Sequence, residues 1–368
     1  MKVLSVFGTR PEAIKMAPLL KKMAQTPGIE SVVAVTAQHR EMLDQVLRLF
    51  AITPKYDLDL MRHGQTLSGI TASVLDGMAP IIEQEKPELI LVHGDTTTTF
   101  AAALSAFYHQ VPVGHVEAGL RTGDKYAPYP EEMNRCLTGR LADVHFAPTE
   151  TAANHLREEQ VPEAQIFVTG NTVIDALLET VEKPCDLKDY GLTQVDWSKK
   201  VILMTCHRRE NWGEPMAQIF AATAEVLSRH PEVELVYPLH KNPLVREIAH
   251  QYLDIPQVHF CEPLDYLPFC HAMKNSYLVL TDSGGLQEEA PALGKPVLVL
   301  RDVTERPEAI AAGTARLLGT KGESVAAGLE ELLTGGETYR AMAHAANPYG
   351  DGHAAEKICQ AILSLKKK

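Results

Sequence analysis

Short runs rich in Val, Ile and Leu recur along this chain, each followed by a longer stretch with helical patterning. They fall at 3–7, 32–36, 89–93, 111–116, 144–147 and 166–169, and again at 201–205, 234–238, 258–261, 277–281 and 297–300. Near-continuous apolar strands, without the polar alternation of a half-exposed sheet, predict parallel strands covered by helices on both faces. The 368 residues exceed one ordinary core, so two domains are expected. The fold class is therefore α/β, with two Rossmann-like, doubly wound domains. The polar stretch 183–200, carrying Pro184 and Gly191, marks a linker zone between an N-terminal domain, 1–182, and a C-terminal domain, 201–351. Residues 352–368 read as a terminal helix and tail able to pack back across either domain.

Open parallel sheets bind ligands at the carboxyl ends of their strands. The polar, glycine-rich clusters lie at those ends in both halves: 8–15, 93–99, 117–121, 207–211, 283–289 and 301–306. Two domains with facing strand ends would form one interdomain cleft, the expected place for chemistry. Thr281-Asp282-Ser283-Gly284-Gly285-Leu286-Gln287-Glu288-Glu289 is a strand, a glycine turn and a helix start. Ser283, Gly284 and Gly285 can offer backbone N–H groups to an anion at the positive end of a helix dipole. Glu289, four residues past Gly285, is placed to reach a ribose diol. The same pattern also suits a plain strand–helix turn with an acidic helix start.

In the first half, Gly8 permits a tight turn, Pro11 suits a first helical position, and Arg10 and Lys15 could face an anion. Asp95 stands at a strand end before Thr96–Thr99, where an Asp equally serves as a helix cap. Glu117 ends the next strand, and Glu131 and Glu132 stand at another helix entry. Partly desolvated carboxylates can be raised toward neutrality, as proton transfer requires. In the second half, His207 with Arg208 and Arg209 suits phosphate or hydroxyl groups, and Arg306 supplies a further cation. Neither H-E-x-x-H nor G-x-G-x-x-G occurs, so neither a zinc site nor a nicotinamide cofactor is expected; cofactors and metal are read as none.

The balance of 35 basic against 47 acidic residues, a net charge of −12, argues against nucleic-acid and anionic-membrane partners. No apolar run reaches the ~18–20 residues of a membrane span. The chain enters a strand pattern at once, with no signal peptide expected. Its cysteines at 136, 185, 206, 261, 270 and 359 form no C-x-x-C, so reduced thiols and a cytoplasmic location are expected.

Taken together, G-T-R-P-E (8–12), H-G-D-T (93–96), H-V-E-A-G-L-R (115–121), P-E-E-x-N-R (130–135), H-R-R-E (207–210), T-D-S-G-G-x-Q-E-E (281–289) and T-E-R-P-E (304–308) closely resemble the bacterial non-hydrolysing UDP-N-acetylglucosamine 2-epimerases over essentially the whole chain. The resemblance implies a glycosyltransferase-B-type pair of domains, usually a homodimer. It implies reversible conversion of UDP-N-acetylglucosamine to UDP-N-acetylmannosamine, feeding cell-envelope polysaccharide synthesis. Asp95, Glu117 and Glu131 would then be catalytic carboxylates and His207 would lie near the diphosphate. Arg10 and Lys15 would line the cleft, Phe269 would contact uracil, and Ser283, Gly284 and Gly285 the diphosphate. Glu289 would contact the ribose, and Arg306 the sugar or phosphate. Leu264 stands where relatives can carry Gln, so a uracil contact there must come from backbone atoms. Relatives are also activated by their own substrate at a neighbouring site, for which Gln38, Gln65, Arg208 and His240 are present here.

Inverting carbon 2 is hard because no adjacent carbonyl acidifies its hydrogen. Without a dinucleotide fingerprint, expulsion of UDP to a 2-acetamidoglucal, then re-addition, is favoured over transient oxidation. Three rivals remain: a UDP-sugar-dependent glycosyltransferase of the same fold, a hydrolysing epimerase releasing N-acetylmannosamine, and a nucleotide-sugar sensor without turnover. The sensor would keep 283–289 while losing the carboxylates, which are intact here.

Overall fold

A computed structural model describes residues 1–37, 40–60 and 64–365, in two compact units. Unit 1 comprises Met1–Ala176 and Tyr349–Lys368, and unit 2 comprises Leu177–Pro348.

Unit 1 is built on seven strands: β1 (Lys2–Phe7), β2 (Glu30–Val35), β3 (Tyr56–Asp57), β4 (Leu89–His93), β5 (Val113–Val116), β6 (Val144–Ala147) and β7 (Ile166–Val168). They pair in parallel in the order β3-β2-β1-β4-β5-β6-β7. The chain winds outward from β1 in one direction and then from β4 in the other, so the switch point lies between β1 and β4. The central strands carry the longest apolar runs because both faces are covered. Val3, Leu4, Val6 and Phe7 of β1 and Ile90, Leu91 and Val92 of β4 have no exposed surface. Each such side chain contributes about 1.5–3 kcal/mol by leaving water.

Unit 2 repeats the plan with six parallel strands: β8 (Lys200–Thr205), β9 (Val233–Pro238), β10 (Val258–Cys261), β11 (Leu278–Thr281), β12 (Val297–Val299) and β13 (Ala315–Leu317). Their order is β10-β9-β8-β11-β12-β13, with the switch point between β8 and β11. Two of the observed strands, β3 and β13, lie outside the apolar runs. They are edge strands of two and three residues, too short to carry a periodic signal. Within 183–200, Leu187, Leu192 and Val195 are buried, and the stretch falls in unit 2. The terminal helix Ala354–Leu365 packs on the helix Arg10–Gln25 of unit 1. Its first free N–H groups, those of Ala354 and Ala355, donate to Asp175 at 3.2 and 2.9 Å. Among the described residues, no helix is long and apolar enough to cross a membrane.

Candidate active site

In unit 1 the switch point is locked by a carboxylate that takes no part in the expected chemistry. Thr9 caps the helix Arg10–Gln25, and Glu12, three residues on, completes a capping box. Glu12 Oε2 accepts the N–H groups of Gly8 (3.0 Å) and Thr9 (2.7 Å). Its Oε1 accepts the hydroxyls of Thr96 (2.8 Å) and Thr99 (3.1 Å) beyond β4. One buried side chain thus ties the turn after β1 to the turn after β4. Gly8 must be glycine here: a Cβ would stand 2.1 Å from Thr36 Oγ1 and 2.9 Å from Thr98 Oγ1. Pro11 occupies the second helical position rather than the first, because the helix starts at Arg10. The Arg10 side chain is half-buried and makes no hydrogen bond or ion pair among the described residues.

Glu117 follows β5 with a left-handed φ of +63°, an uncommon conformation for a residue with a side chain. Its loop is pinned two residues on, where Gly119 has φ +86° and a Cβ would meet the Ala152 carbonyl oxygen at 2.2 Å. Both donors on the Glu117 carboxylate, Lys15 Nζ and Asn171 Nδ2 at 3.3 Å, converge on Oε2, and His93 Nε2 stands 3.4 Å from the same oxygen. Oε1 is left without a partner among the described residues. Burial alone would push this carboxyl up, toward the neutral range expected from the sequence. Lys15 and His93 outweigh it and hold Glu117 well below the ordinary carboxylate range. Glu117 is therefore a fixed, ionised acceptor with one oxygen available.

Asp95 does not cap the helix Thr97–Tyr108; the Thr96 hydroxyl does, accepting the Thr99 N–H at 3.1 Å. The Asp95 carboxylate instead meets Arg135 Nη2 at 2.5 Å, and its carbonyl accepts from Asn134 at 3.0 Å. Both partners sit on the helix Glu131–Leu141, whose first residue is Glu131. Glu131 is half-buried, and its side chain makes no hydrogen bond or ion pair among the described residues. Its neighbour Glu132 turns inward and accepts the N–H groups of Thr122 (3.0 Å) and Gly123 (3.1 Å). The histidines of β5 and β6, His115 and His145, are paired in register and fully covered. Burial pulls them down to about 3 and about 4, so they are neutral core groups.

In unit 2, Asp282 follows β11 at the switch point and has no exposed surface. Its Oδ2 accepts the N–H groups of His207 (2.7 Å) and Arg208 (2.8 Å) and Asn211 Nδ2 (3.2 Å) beyond β8. The His207 ring stacks on His240, with centroids 5.4 Å apart and planes within 8°. The N–H of Ser283 is already taken by Thr281 Oγ1 at 2.9 Å. This leaves the N–H groups of Gly284, Gly285 and Leu286 for an anion at the start of the helix Leu286–Glu289. Neither glycine adopts positive φ, and a Cβ on either would have nothing nearer than 3.8 Å. Glu289 Oε1 accepts the Tyr266 hydroxyl at 3.1 Å. Burial and the Glu289 charge together push that phenol well up. Arg306 Nε is engaged by Glu288, and Arg301 Nε by Glu210 at 2.7 Å. Phe269 is half-buried on the helix Tyr266–Asn275. No group of three or more potential metal ligands occurs among the described residues.

A family model described as UDP-N-acetylglucosamine 2-epimerase matches residues 21–363. The chain belongs to that family. It is 56% identical to a UDP-N-acetylglucosamine 2-epimerase of Yersinia pestis over 98% of each chain. A crystal structure of the UDP-GlcNAc 2-epimerase from Neisseria meningitidis bound to UDP-GlcNAc is 50% identical and superposes with a TM-score of 0.88, covering 99% of this chain and 100% of that one. Sucrose-phosphate synthase from Thermosynechococcus elongatus, at 12% identity, shares the fold alone (TM-score 0.66, 100% of each chain). The family is decided by the sequence carried on that fold.

Within this UDP-N-acetylglucosamine 2-epimerase family member, unit 1 gathers Lys15, Asp95, Glu117 and Glu131 at neighbouring strand ends, and unit 2 gathers His207, Gly284, Gly285 and Arg306 likewise. Of the residues expected for substrate activation, Gln38 lies outside the described residues. Gln65 is half-buried just before Thr66, which caps the helix Leu67–Glu85, and Arg208 Nη1 lies 3.8 Å from Glu305. Burial, aided by His207, pulls His240 below its usual value. Sequence reasoning passed over Glu12, His93, Arg135, Asn171 and Asp282. Only Glu12 had a local signal, the Thr-x-x-Glu capping pattern before an apolar run. The others become visible only through contacts between distant segments.

Proposed function

We propose that this chain interconverts UDP-N-acetylglucosamine and UDP-N-acetylmannosamine by inverting carbon 2. In this reading UDP departs from carbon 1 as a carboxylate takes the carbon-2 proton, leaving a 2-acetamidoglucal. UDP then re-adds while a second carboxylate delivers a proton to the opposite face. The observation that carries it is the Glu117 carboxylate, fixed through Oε2 with Oε1 unpartnered, the form expected of a proton acceptor. Asp95 and Glu131 supply the other candidate proton carriers, and Arg10 and Lys15 the adjoining positive charge. Unit 2 would hold the nucleotide. The amides of Gly284 and Gly285, with His207 and Arg306, would meet the diphosphate, Glu289 the ribose and Phe269 the uracil. The 1–182 domain would be the proton-transfer half and the 201–351 domain the nucleotide half.

The test is proton NMR of UDP-N-acetylglucosamine incubated with the protein in heavy water. Growth of UDP-N-acetylmannosamine, with deuterium at carbon 2 of both epimers, is expected. Free N-acetylmannosamine plus UDP would point to the hydrolysing variant, and no exchange at saturating substrate would sink the epimerase reading.

A homodimer belongs to the same proposal. The exposed Phe107, Tyr108, Met133 and Leu137 lie on two helices of unit 1 that pack together, and an apolar surface of that kind favours a second copy. Light scattering of the wild type against Phe107→Glu checks it. Activation by substrate at a second site, through Gln65, Arg208 and His240, would show as sigmoidal kinetics in the forward direction. The cytoplasm, where nucleotide sugars for envelope polysaccharides are made, is the proposed location.

A further inference from the structure

The Asp282 carboxylate is unevenly used. It is completely covered, yet its three donors all reach Oδ2, and Oδ1 has no hydrogen-bond partner among the described residues. A buried carboxylate oxygen without a donor is destabilising, because its lost hydration is not replaced. The Cys206 thiol also faces Asp282, but burial first, and the Asp282 charge second, keep it protonated, and S–H is a weak donor. The strong candidate is His207 Nδ1, 3.7 Å from Oδ1. The His207 backbone is tied to the other oxygen of the same carboxylate, while its ring is 43% exposed and a small rotation would close that remaining distance.

We propose that Asp282 is a positioning residue for His207: Oδ1 accepts the Nδ1–H, turning Nε2–H toward the diphosphate that leaves the sugar. This rests on the reading that unit 2 takes UDP. As the C1–O bond breaks, its electron pair passes to the β-phosphate oxygen, and the C2 proton passes to a carboxylate as the C1–C2 double bond forms. The new negative charge on the β-phosphate is met by Nε2–H, and re-addition reverses each movement. A ring that donates from both nitrogens is an imidazolium before the bond breaks, and the buried aspartate stabilises it, as an aspartate behind a catalytic histidine does elsewhere. The remaining groups facing the ring fit this arrangement. His240 stacks on it and is itself pulled toward the neutral form, so it adds little repulsion. Arg208 points to Glu305, and the Trp212 indole donates to the His207 carbonyl at 3.1 Å.

The test is nitrogen-15 NMR of ring-labelled histidines in the full-length protein with and without UDP, the His207 signal assigned by its loss in His207→Gln. With UDP bound, both ring nitrogens of His207 are expected to be protonated, with Nδ1–H shifted downfield by its hydrogen bond. Asp282→Asn presents an amide N–H to Nδ1 and is expected to strip its proton. kcat should then fall about 10- to 100-fold with KM within about threefold, as for a group acting only in the transition state. Introduced into His207→Gln, Asp282→Asn should cost less than about twofold more, because groups acting through one another are not additive. If Asp282→Asn fails to fold, the wild-type spectrum still decides. UDP binding with Nδ1 unprotonated, or fully multiplicative losses, would overturn the proposal alone. A titration in which UDP moves neither His207 nor His240 would overturn the nucleotide reading with it.

Discussion

The two units present the same construction at their switch points and load it with opposite chemistry. In unit 1 the turn after β1 and the turn after β4 are joined by Glu12, and in unit 2 the turn after β8 and the start of the turn after β11 are joined by Asp282. Each is a buried acid accepting backbone N–H groups. Beyond that bridge they diverge. Unit 1 surrounds its acids with matched cations, Lys15 on Glu117 and Arg135 on Asp95, so that their geometry is set before any ligand arrives. Unit 2 engages its arginines with internal acids, Arg306 with Glu288 and Arg301 with Glu210, and leaves amides and open space above Gly284 and Gly285. Proton transfer needs a side chain held at one angle, whereas a diphosphate is met well by backbone dipoles that a glycine exposes. The same α/β frame serves both because the strand ends, not the sheet, carry the difference.

The largest test of that contrast is Glu117→Gln. The amide keeps the shape but cannot accept the carbon-2 proton, so kcat should fall by about 10²–10⁴-fold. UDP binding by isothermal calorimetry should hardly change, because the groups proposed to hold the nucleotide lie in unit 2. Equal losses in kcat and UDP affinity would break the division of labour between the units.

A pair of glycine substitutions sharpens it. Gly8→Ala drives a methyl to 2.1 Å from Thr36 Oγ1 and should destabilise unit 1 by about 1–3 kcal/mol in denaturant unfolding. Gly284→Ala meets nothing nearer than Arg208 Nη2 at 3.8 Å, so stability should stay within about 0.5 kcal/mol. The added methyl stands where a phosphate would approach, and UDP affinity should drop roughly tenfold, about 1.4 kcal/mol. On the proposed reading, Gly8 is a glycine for the fold and Gly284 a glycine for the ligand. A stability loss at Gly284 matching that at Gly8 would erase the distinction.

Much of this was legible in the residues. Fully buried parallel strands have an unbroken apolar run, which is why β1, β4, β8 and β11 could be located within a residue or two, and the polar clusters after them mark where ligands meet such sheets. The edge strands β3 and β13 carry two and three residues and no such run. The state of Glu117 was not legible either. Desolvation predicts a raised carboxyl, and its reversal depends on Lys15, which is 102 positions away in sequence. The engagement of the Ser283 N–H by Thr281 was equally hidden, because a hydroxyl two residues back has many alternative partners. Local pattern reports strands, caps and turns, and electrostatic state is decided by contacts that the sequence does not order.

The smallest expected effect concerns the opposite edge of the unit 1 sheet, where an acid is paired for stability alone. Glu85 closes the helix Leu67–Glu85 and is buried, with Lys55 at 2.6 Å, Tyr56 hydroxyl at 2.5 Å and Lys2 at 3.1 Å. These partners, Lys55 and Tyr56 foremost, bring its carboxyl down to about 2. A folded value below the unfolded one means the stabilisation is fully present above about pH 4–5 and is lost as pH falls toward the folded value. The Lys55 side chain is 55% exposed, so screening leaves about 1–2 kcal/mol at neutral pH. Glu85→Gln should lower stability by that amount at pH 7. Relative to Glu85→Gln, the wild type should lose its advantage between about pH 5 and 2. Carbon-2 exchange per folded molecule should be unchanged, since this acid lies at the amino ends of the strands. A variant that lost exchange while keeping its stability would show that the two edges of the sheet are coupled, and that the pairing here serves more than the fold.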